Sequence, residues 1–267
     1  IIKYQTALKS LQRLGLNKNA KLSNLKIYSD LRESLHSTTF VQENAPENEK
    51  LKKKLLKDID KLLPKNIIIA SSSSGLLPTR IQSLCNYPER VCIGHPFNPV
   101  YLLPLVELVS GKQTKKNTIT RAKKFYEEIG MKPLIVKKEI EGYISDRLQE
   151  ALWREALHII NDGIASTQDV DDAIVYGPGL RWSFMGVCLT FHLAGGQTGM
   201  KHMLEQFGPA LKLPWTKLKA PKLDAKLKKL MISGTKKQAG KYSIKDLEVR
   251  RDICLLYTSD AADEQLS

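Results

Sequence analysis

The apolar positions of the chain follow two patterns that divide it near residue 139. Before that point, short β-branched runs alternate with amphipathic stretches. LKIY (25–28), FVQ (40–42), NIIIA (66–70), RVCIG (90–94), LVELV (105–109) and PLIVK (133–137) read as strands, the continuous ones as strands covered on both faces. SDLRESL reads as a short helix between two of them. Glu47 to Leu63 reads as a longer one, with Leu51, Leu55, Ile59 and Leu62 at helical spacing after Pro46 and Pro64 ending it. TKKNTITRAKKFYEEIG (114–130) is a third helix, closed by Gly130 in the C-cap position. This alternation predicts an α/β layer around a mainly parallel sheet.

Beyond Gly142 the strand signal stops. YISDRLQEALWREALHIINDG places Ile144, Leu148, Leu152, Ala156 and Ile159 on one helical face and stops at Gly163, and STQDVDDAIVYGPG opens on Ser166 and Asp169 in capping-box register. The pattern therefore predicts an α/β domain over residues 1–139 and an all-helical domain over 140–253. The chain starts at Ile1 inside a helix-like stretch, as an N-terminally truncated piece would. At the other end CLLYTSDAADE resembles the in-frame translation of a transposase sequencing adapter, so residues 254–267 are set aside as an artefact.

With 267 residues and 42% hydrophobic content, the chain has enough apolar surface for real cores, which excludes disorder as its default state. No apolar run reaches membrane-spanning length, and IIKYQTALKSLQRLG lacks the apolar centre of a signal peptide. A cytoplasmic protein without a membrane partner is expected. The net charge of +14 raises nucleic acid as a partner, but the lysines are scattered along helices such as KLKKKLLKDIDK and share faces with acids. No basic stretch is interleaved with aromatic residues, so no nucleic-acid partner is expected. The four cysteines form no C-x-x-C pair and stand at no metal-ligand spacing, so they read as buried thiols and no metal is expected.

Candidate chemistry concentrates in GHPFNPVYLLPLVELVSG, residues 94–111. His95 ends a strand, and the carboxyl edge of an open α/β sheet is where ligands bind. Pro96 and Pro99 stiffen the turn that follows, leaving Asn98 to present its amide. Glu107 lies within an apolar strand, where an unpaired carboxylate is costly. A chain that turns through VYLLP and returns beside its own strand brings Glu107 back toward His95. A carboxylate on one ring nitrogen leaves the other free as a base.

SSSSG (71–75), GHPFNPVYLLPLVE (94–107) and GYISDRL (142–148) resemble the motifs of the 3-hydroxyacyl-CoA dehydrogenase family. The resemblance implies a Rossmann-type NAD-binding domain followed by a helical substrate and dimerisation domain, with NAD as cofactor and a homodimer as the assembly. It implies His95 as the base for the 3-hydroxyl, Glu107 as its electrostatic support, and Ser74 and Asn98 at the reacting oxygen and the nicotinamide end. Ala45, Glu47 and Lys52 match the cofactor-contacting segment. FVQENAPEN (40–48), DRLQEALWREALHIINDG (146–163), YGPGLRWSFMG (176–186) and FGPALKLPWTKL (207–218) further resemble the branch of the family that oxidises L-carnitine. A dehydrogenase of another 3-hydroxy acid or of a 3-hydroxyacyl-CoA, a gulonate dehydrogenase or lambda-crystallin-like protein, and a non-enzymatic relative are the alternatives.

Two departures from the family pattern stand out. Asp146 replaces the usual Asn in SDRL, which puts an acyl-CoA-type contact there in doubt, and no G-x-G-x-x-G occurs, which reads as truncation of the first strand and Gly-rich loop. The chain as it stands is expected to be inactive. For a small substrate carrying a carboxylate and a trimethylammonium group, Arg181 suits the carboxylate, and Trp182 and Phe184 suit the cation, with Asp146 also on the substrate side. Trp153, on a helix at core spacing, reads as packing.

Overall fold

The computed structural model describes residues 22–182, 186–195, 200–217 and scattered positions between 224 and 249. The helix-like start of the chain, Phe184 and the adapter-like end lie outside the described residues. Two compact units follow each other, one ending at Leu148 and the other beginning at Gln149.

The first unit is built on five strands: β1 (Phe40–Glu43), β2 (Ile68–Ser71), β3 (Val91–Pro96), β4 (Leu105–Ser110) and β5 (Lys132–Val136), ordered as they occur in the chain. β1, β2 and β3 run parallel and so do β4 and β5, whereas β3 and β4 pair antiparallel. The antiparallel junction is the return through VYLLP, which is too short for a crossover helix and so must reverse the chain. The mainly parallel sheet is thus a mixed one. Helices α1 (Leu31–Ser34), α2 (Glu49–Leu62), α3 (Pro78–Ile81) and α4 (Lys116–Glu128) complete the unit, and α5 (Ser145–Asn161) begins in it.

Strand alternation sorts the core onto two faces. Ile69, Val91, Ile93 and Val109 join Leu56, Ile59 and Ile81 on one face, while Ile68, Ala70, Cys92, Val106 and Leu108 meet Ile119, Ala122 and Tyr126 on the other. All four residues of β2 are buried, as the run NIIIA requires. LKIY forms no strand: Leu25, Ile27 and Tyr28 are exposed, and nothing described pairs with them. Strand propensity counts only where a pleated surface is there to be packed.

Gly94 marks the tightest point of the sheet. A Cβ there would stand 2.1 Å from the Tyr126 hydroxyl, 2.9 Å from its Cζ and 3.2 Å from the Ala70 Cβ. The Gly94 carbonyl accepts from Gln42 Nε2 at 3.0 Å, and Gln42 Oε1 accepts from the same tyrosine hydroxyl. Gly94→Ala is expected to destabilise the unit by about 1–3 kcal/mol through overpacking. In a Tyr126→Phe background the penalty should shrink. Equal penalties in the two backgrounds, measured by urea unfolding, would show that the hydroxyl is not the obstacle.

In the second unit, α5 is followed by α6 (Thr167–Val175), capped by Ser166 and Asp169 in a complete capping box, and then by α7 (Pro178–Trp182), α8 (Val187–Ala194) and α9 (Met200–Phe207). Leu157, Ile160 and Leu227 form its small core. Trp153 is 46% exposed and lines an apolar cavity of about 570 Å³ between α5 and α6, so its reading as core packing is not borne out. Of the described cysteines Cys92 is buried, Cys85 half-buried and Cys188 exposed, so the last is no buried thiol. No described helix is long and apolar enough to cross a membrane, and no metal-ligating cluster occurs among the described residues.

Candidate active site

The antiparallel register sets His95 directly opposite Glu107. Their side chains meet between His95 Nδ1 and Glu107 Oε2 at 3.1 Å, with Glu107 wholly buried. The second carboxylate oxygen, Oε1, accepts the backbone N–H groups of Ile144 and Ser145, each at 3.0 Å, at the N-terminal end of α5. Glu107 therefore receives three hydrogen bonds and the positive end of a helix dipole. An ionised carboxylate only accepts, so Nδ1 carries the imidazole proton and Nε2 presents its lone pair.

Burial pushes the Glu107 carboxyl up, but the hydrogen bonds from His95, Ser145 and Ile144 outweigh it and hold the group below the usual carboxylate range. The folded state thus binds fewer protons than the unfolded chain as the pH passes through the carboxylate range. The stabilisation is fully present above the ordinary carboxylate pKa and is lost as the pH falls through the lowered folded-state value. Glu107→Gln is expected to flatten the acid limb of the stability profile in that window. An unchanged acid slope in chemical unfolding between neutral pH and the carboxylate range would remove Glu107 as its source.

The backbone at Gly142 and Tyr143 makes the contact with α5 possible. Both residues have positive φ, 71° and 45°, which turns the chain into α5 with its first N–H groups aimed at Glu107. For Tyr143 that conformation is strained, and burial of the whole side chain holds it in place. Burial, the larger effect, keeps its phenol protonated well above the ordinary range against the hydrogen bond to Ser73. The hydroxyl donates to the Leu76 carbonyl at 2.8 Å. The centroids of the Tyr143 and Phe97 rings lie 5.7 Å and 6.1 Å from that of the imidazole, so two aromatic rings stand close to the histidine.

A second polar network joins the ends of β1 and β2. Glu43 accepts Lys52 Nζ at 3.0 and 3.1 Å on its two oxygens, the Ala45 N–H at 2.5 Å and the Ser71 hydroxyl at 2.5 Å. Lys52, 1% exposed, also donates to the Ala45 carbonyl at 2.8 Å and lies 3.7 Å from Glu47. Glu47 Oε1 in turn accepts the Ser73 hydroxyl at 2.5 Å and the N–H groups of Ser74 and Gly75 at 3.1 Å. This explains why the helix starts at Glu49 behind an Asn48 cap: Glu47 stays outside it and ties the β1 turn to the β2 loop.

The structure therefore brings His95, Glu107 and Asp146 together, with Asp146 Oδ2 4.0 Å from His95 Nε2, and assembles Ala45, Glu47, Lys52 and Ser74 beside them at the carboxyl edge of the sheet. Asn98 is exposed on the turn after β3. The half-exposed Glu47 carboxylate, the Ser74 hydroxyl and the Asn98 amide are the acceptors and donors that the ribose and amide of a nicotinamide call for, at the edge where open α/β sheets bind dinucleotides. These residues fit NAD. Arg181 and Trp182 stand exposed on α7 of the second unit, and Phe184 lies outside the described residues. Glu43, Ser71 and Tyr143 belong to the site without having been singled out in the sequence. Only the strand-end position of Glu43, nine residues before Lys52, could have signalled the first of them.

Comparison with known proteins places this geometry among relatives. The chain matches the model described as "3-hydroxyacyl-CoA dehydrogenase, NAD binding domain" over residues 3–140 and "3-hydroxyacyl-CoA dehydrogenase, C-terminal domain" over residues 142–244. It is 50% identical over 260 residues to the L-carnitine dehydrogenase of Oceanobacillus iheyensis, covering 97% of this chain and 85% of that protein. With the L-carnitine dehydrogenase of Bacillus cereus it shares 53% over 252 residues, covering 94% and 77%. The fold is similar to the crystal structure of 5-formyl-3-hydroxy-2-methylpyridine 4-carboxylic acid 5-dehydrogenase, an NAD+-dependent dismutase, with a TM-score of 0.78 at 24% identity over 96% of this chain and 83% of that one.

Proposed function

The chain belongs to the 3-hydroxyacyl-CoA dehydrogenase family and is an NAD-dependent dehydrogenase of a CH–OH group, and from that premise we propose that it oxidises the 3-hydroxyl of L-carnitine to 3-dehydrocarnitine. The single observation that carries the substrate is the 50% identity to an L-carnitine dehydrogenase over 97% of the chain. NAD, when bound, accepts the hydride from carbon 3. His95 takes the hydroxyl proton at Nε2. Glu107 fixes the ring through Nδ1 and stabilises the imidazolium that forms, itself held by the N–H groups of Ile144 and Ser145.

Glu47, Ser74, Asn98 and the Ala45 turn hold the nicotinamide end, and Lys52 acts through that turn, since its ammonium is enclosed by protein acceptors. In the helical domain we assign to residues 140–253, Arg181 is assigned to the substrate carboxylate and Trp182 to the trimethylammonium group, with Phe184, which lies outside the described residues, as the second aromatic assigned to that cation. A homodimer in the cytoplasm completes the proposal.

The test is NADH formation by the protein offered L-carnitine, L-gulonate and 3-hydroxybutyryl-CoA. Turnover of carnitine in preference to the other two is the expected result. Preference for gulonate or the thioester would keep the chemistry and replace the substrate, and silence on all three with NAD bound would overturn the reading.

A further inference from the structure

We propose that Tyr143 is a positioning residue for the base: it ties the start of α5, whose first N–H groups hold Glu107, to the loop after β2 that carries Ser74, so that the cofactor side and the proton-accepting side of the site share one frame. The inference deepens the reading of His95 as the base and of Glu47 and Ser74 as cofactor contacts, and it rests on that reading. The chain of contacts is continuous. The Tyr143 hydroxyl donates to the Leu76 carbonyl at 2.8 Å, and the Leu76 N–H donates to the Ser73 hydroxyl at 3.1 Å. Ser73 in turn donates to Glu47 at 2.5 Å. In the other direction, the two N–H groups that follow Tyr143, those of Ile144 and Ser145, reach Glu107 Oε1, and Glu107 Oε2 reaches His95. Tyr143 stands where the two polar networks join.

The backbone shows what this join costs. Gly142 and Tyr143 both have positive φ, 71° and 45°. Glycine takes such a conformation freely, whereas a tyrosine there is strained and persists only where its surroundings over-determine it. Those surroundings are specific: the side chain is wholly buried, its ring centroid lies 5.7 Å from that of the imidazole, and its hydroxyl is bonded to Leu76. The loop after β2 has a further hold of its own, since Glu47 Oε1 accepts the Ser73 hydroxyl and the N–H groups of Ser74 and Gly75. Loss of the tyrosine hydroxyl therefore falls on the start of α5, and through it on the Glu107–His95 contact, more than on the residues that fit the cofactor.

The experiment follows two readouts in the parent and in Tyr143→Phe, which keeps the ring and loses only the hydroxyl. One is the proton resonance of the His95 Nδ1–H, identified by its loss in His95→Asn, whose downfield position reports the hydrogen bond to Glu107. The other is steady-state NADH formation from L-carnitine. The expected result is an upfield move of the resonance, a kcat lower on the order of tenfold and a KM for NAD within about twofold of the parent. Ser73→Ala, which loosens Leu76 from the other side, should move the resonance in the same direction and add little in the Tyr143→Phe background, because both act through Leu76. A resonance that stays in place in either single variant, or two shifts that simply add, would make Tyr143 a packing residue and overturn the proposal. The resonance needs neither NAD nor carnitine. Its expected move in a protein that leaves carnitine unoxidised would uphold the positioning role and overturn the substrate reading, which tells the two failures apart.

Discussion

Replacing His95 by Asn is expected to lower kcat by roughly 10²- to 10⁴-fold, the contribution of a positioned general base, while NAD binding followed by fluorescence stays near that of the parent. The split follows from the contacts. In the proposed mechanism the Nε2 lone pair takes the hydroxyl proton, whereas Glu47 and Ser74, two of the three side chains that fit the cofactor, sit on the turns after β1 and β2, where they bond each other and not the imidazole. Glu107→Gln should cost nearly as much by a different route. The Ile144 and Ser145 N–H groups demand an acceptor, so the new amide oxygen must face them and its NH₂ must face His95. Two donors cannot share that contact. The ring must then accept at Nδ1 and carry its proton at Nε2, which is the wrong tautomer for a base. A kcat within tenfold of the parent in His95→Asn would remove this histidine as the base. Parent-like activity in Glu107→Gln would show that the tautomer is set by something other than the carboxylate.

The dyad was legible in the sequence because one residue type stood against its surroundings: an acid in the run LVELV has to find a partner, and a short Pro-rich return leaves His95 as the near one. The register confirms that logic residue for residue. The sheet was legible for the same reason, since the run NIIIA has no other stable home than a strand covered on both faces. The face of α2 was legible in part. Apolar spacing put Leu51, Leu55, Ile59 and Leu62 inward, and Ile59 is buried and Leu55 packs on the core, yet Leu51 is 42% exposed and the helix also buries Lys52, Leu56 and Asp60. A lysine among lysines looks solvated, and nothing local reveals that Glu43 waits for it at the end of the preceding strand. Tyr143 was hidden differently, because a positive φ at a residue other than glycine is imposed by tertiary packing, which no one-dimensional pattern records.

That buried lysine carries the second large prediction. Lys52→Met is expected to destabilise the first unit by about 3–5 kcal/mol, because it leaves the Glu43 carboxylate buried without its cation. Glu43 is 3% exposed and would retain only the Ala45 N–H and the Ser71 hydroxyl. The double variant Lys52→Met with Glu43→Gln removes both charges and should recover much of the loss, since a neutral amide can accept from the Ala45 N–H with its oxygen and donate its NH₂ to the Ser71 hydroxyl, and costs far less to bury. Urea unfolding of the four proteins in the cycle measures the coupling directly. The pair also predicts a functional trace. Lys52 holds the Ala45 carbonyl, and Glu43 holds the Ala45 N–H, so the pair fixes from both sides the turn that presents Glu47 to the β2 loop. In the double variant, even where stability returns, the KM for NAD should stay raised, while a residual kcat close to that of the parent would follow from an undisturbed His95 and Glu107. A single-variant loss below about 1 kcal/mol would mean that the ion pair does not hold the end of β1, and the turn would then need another support.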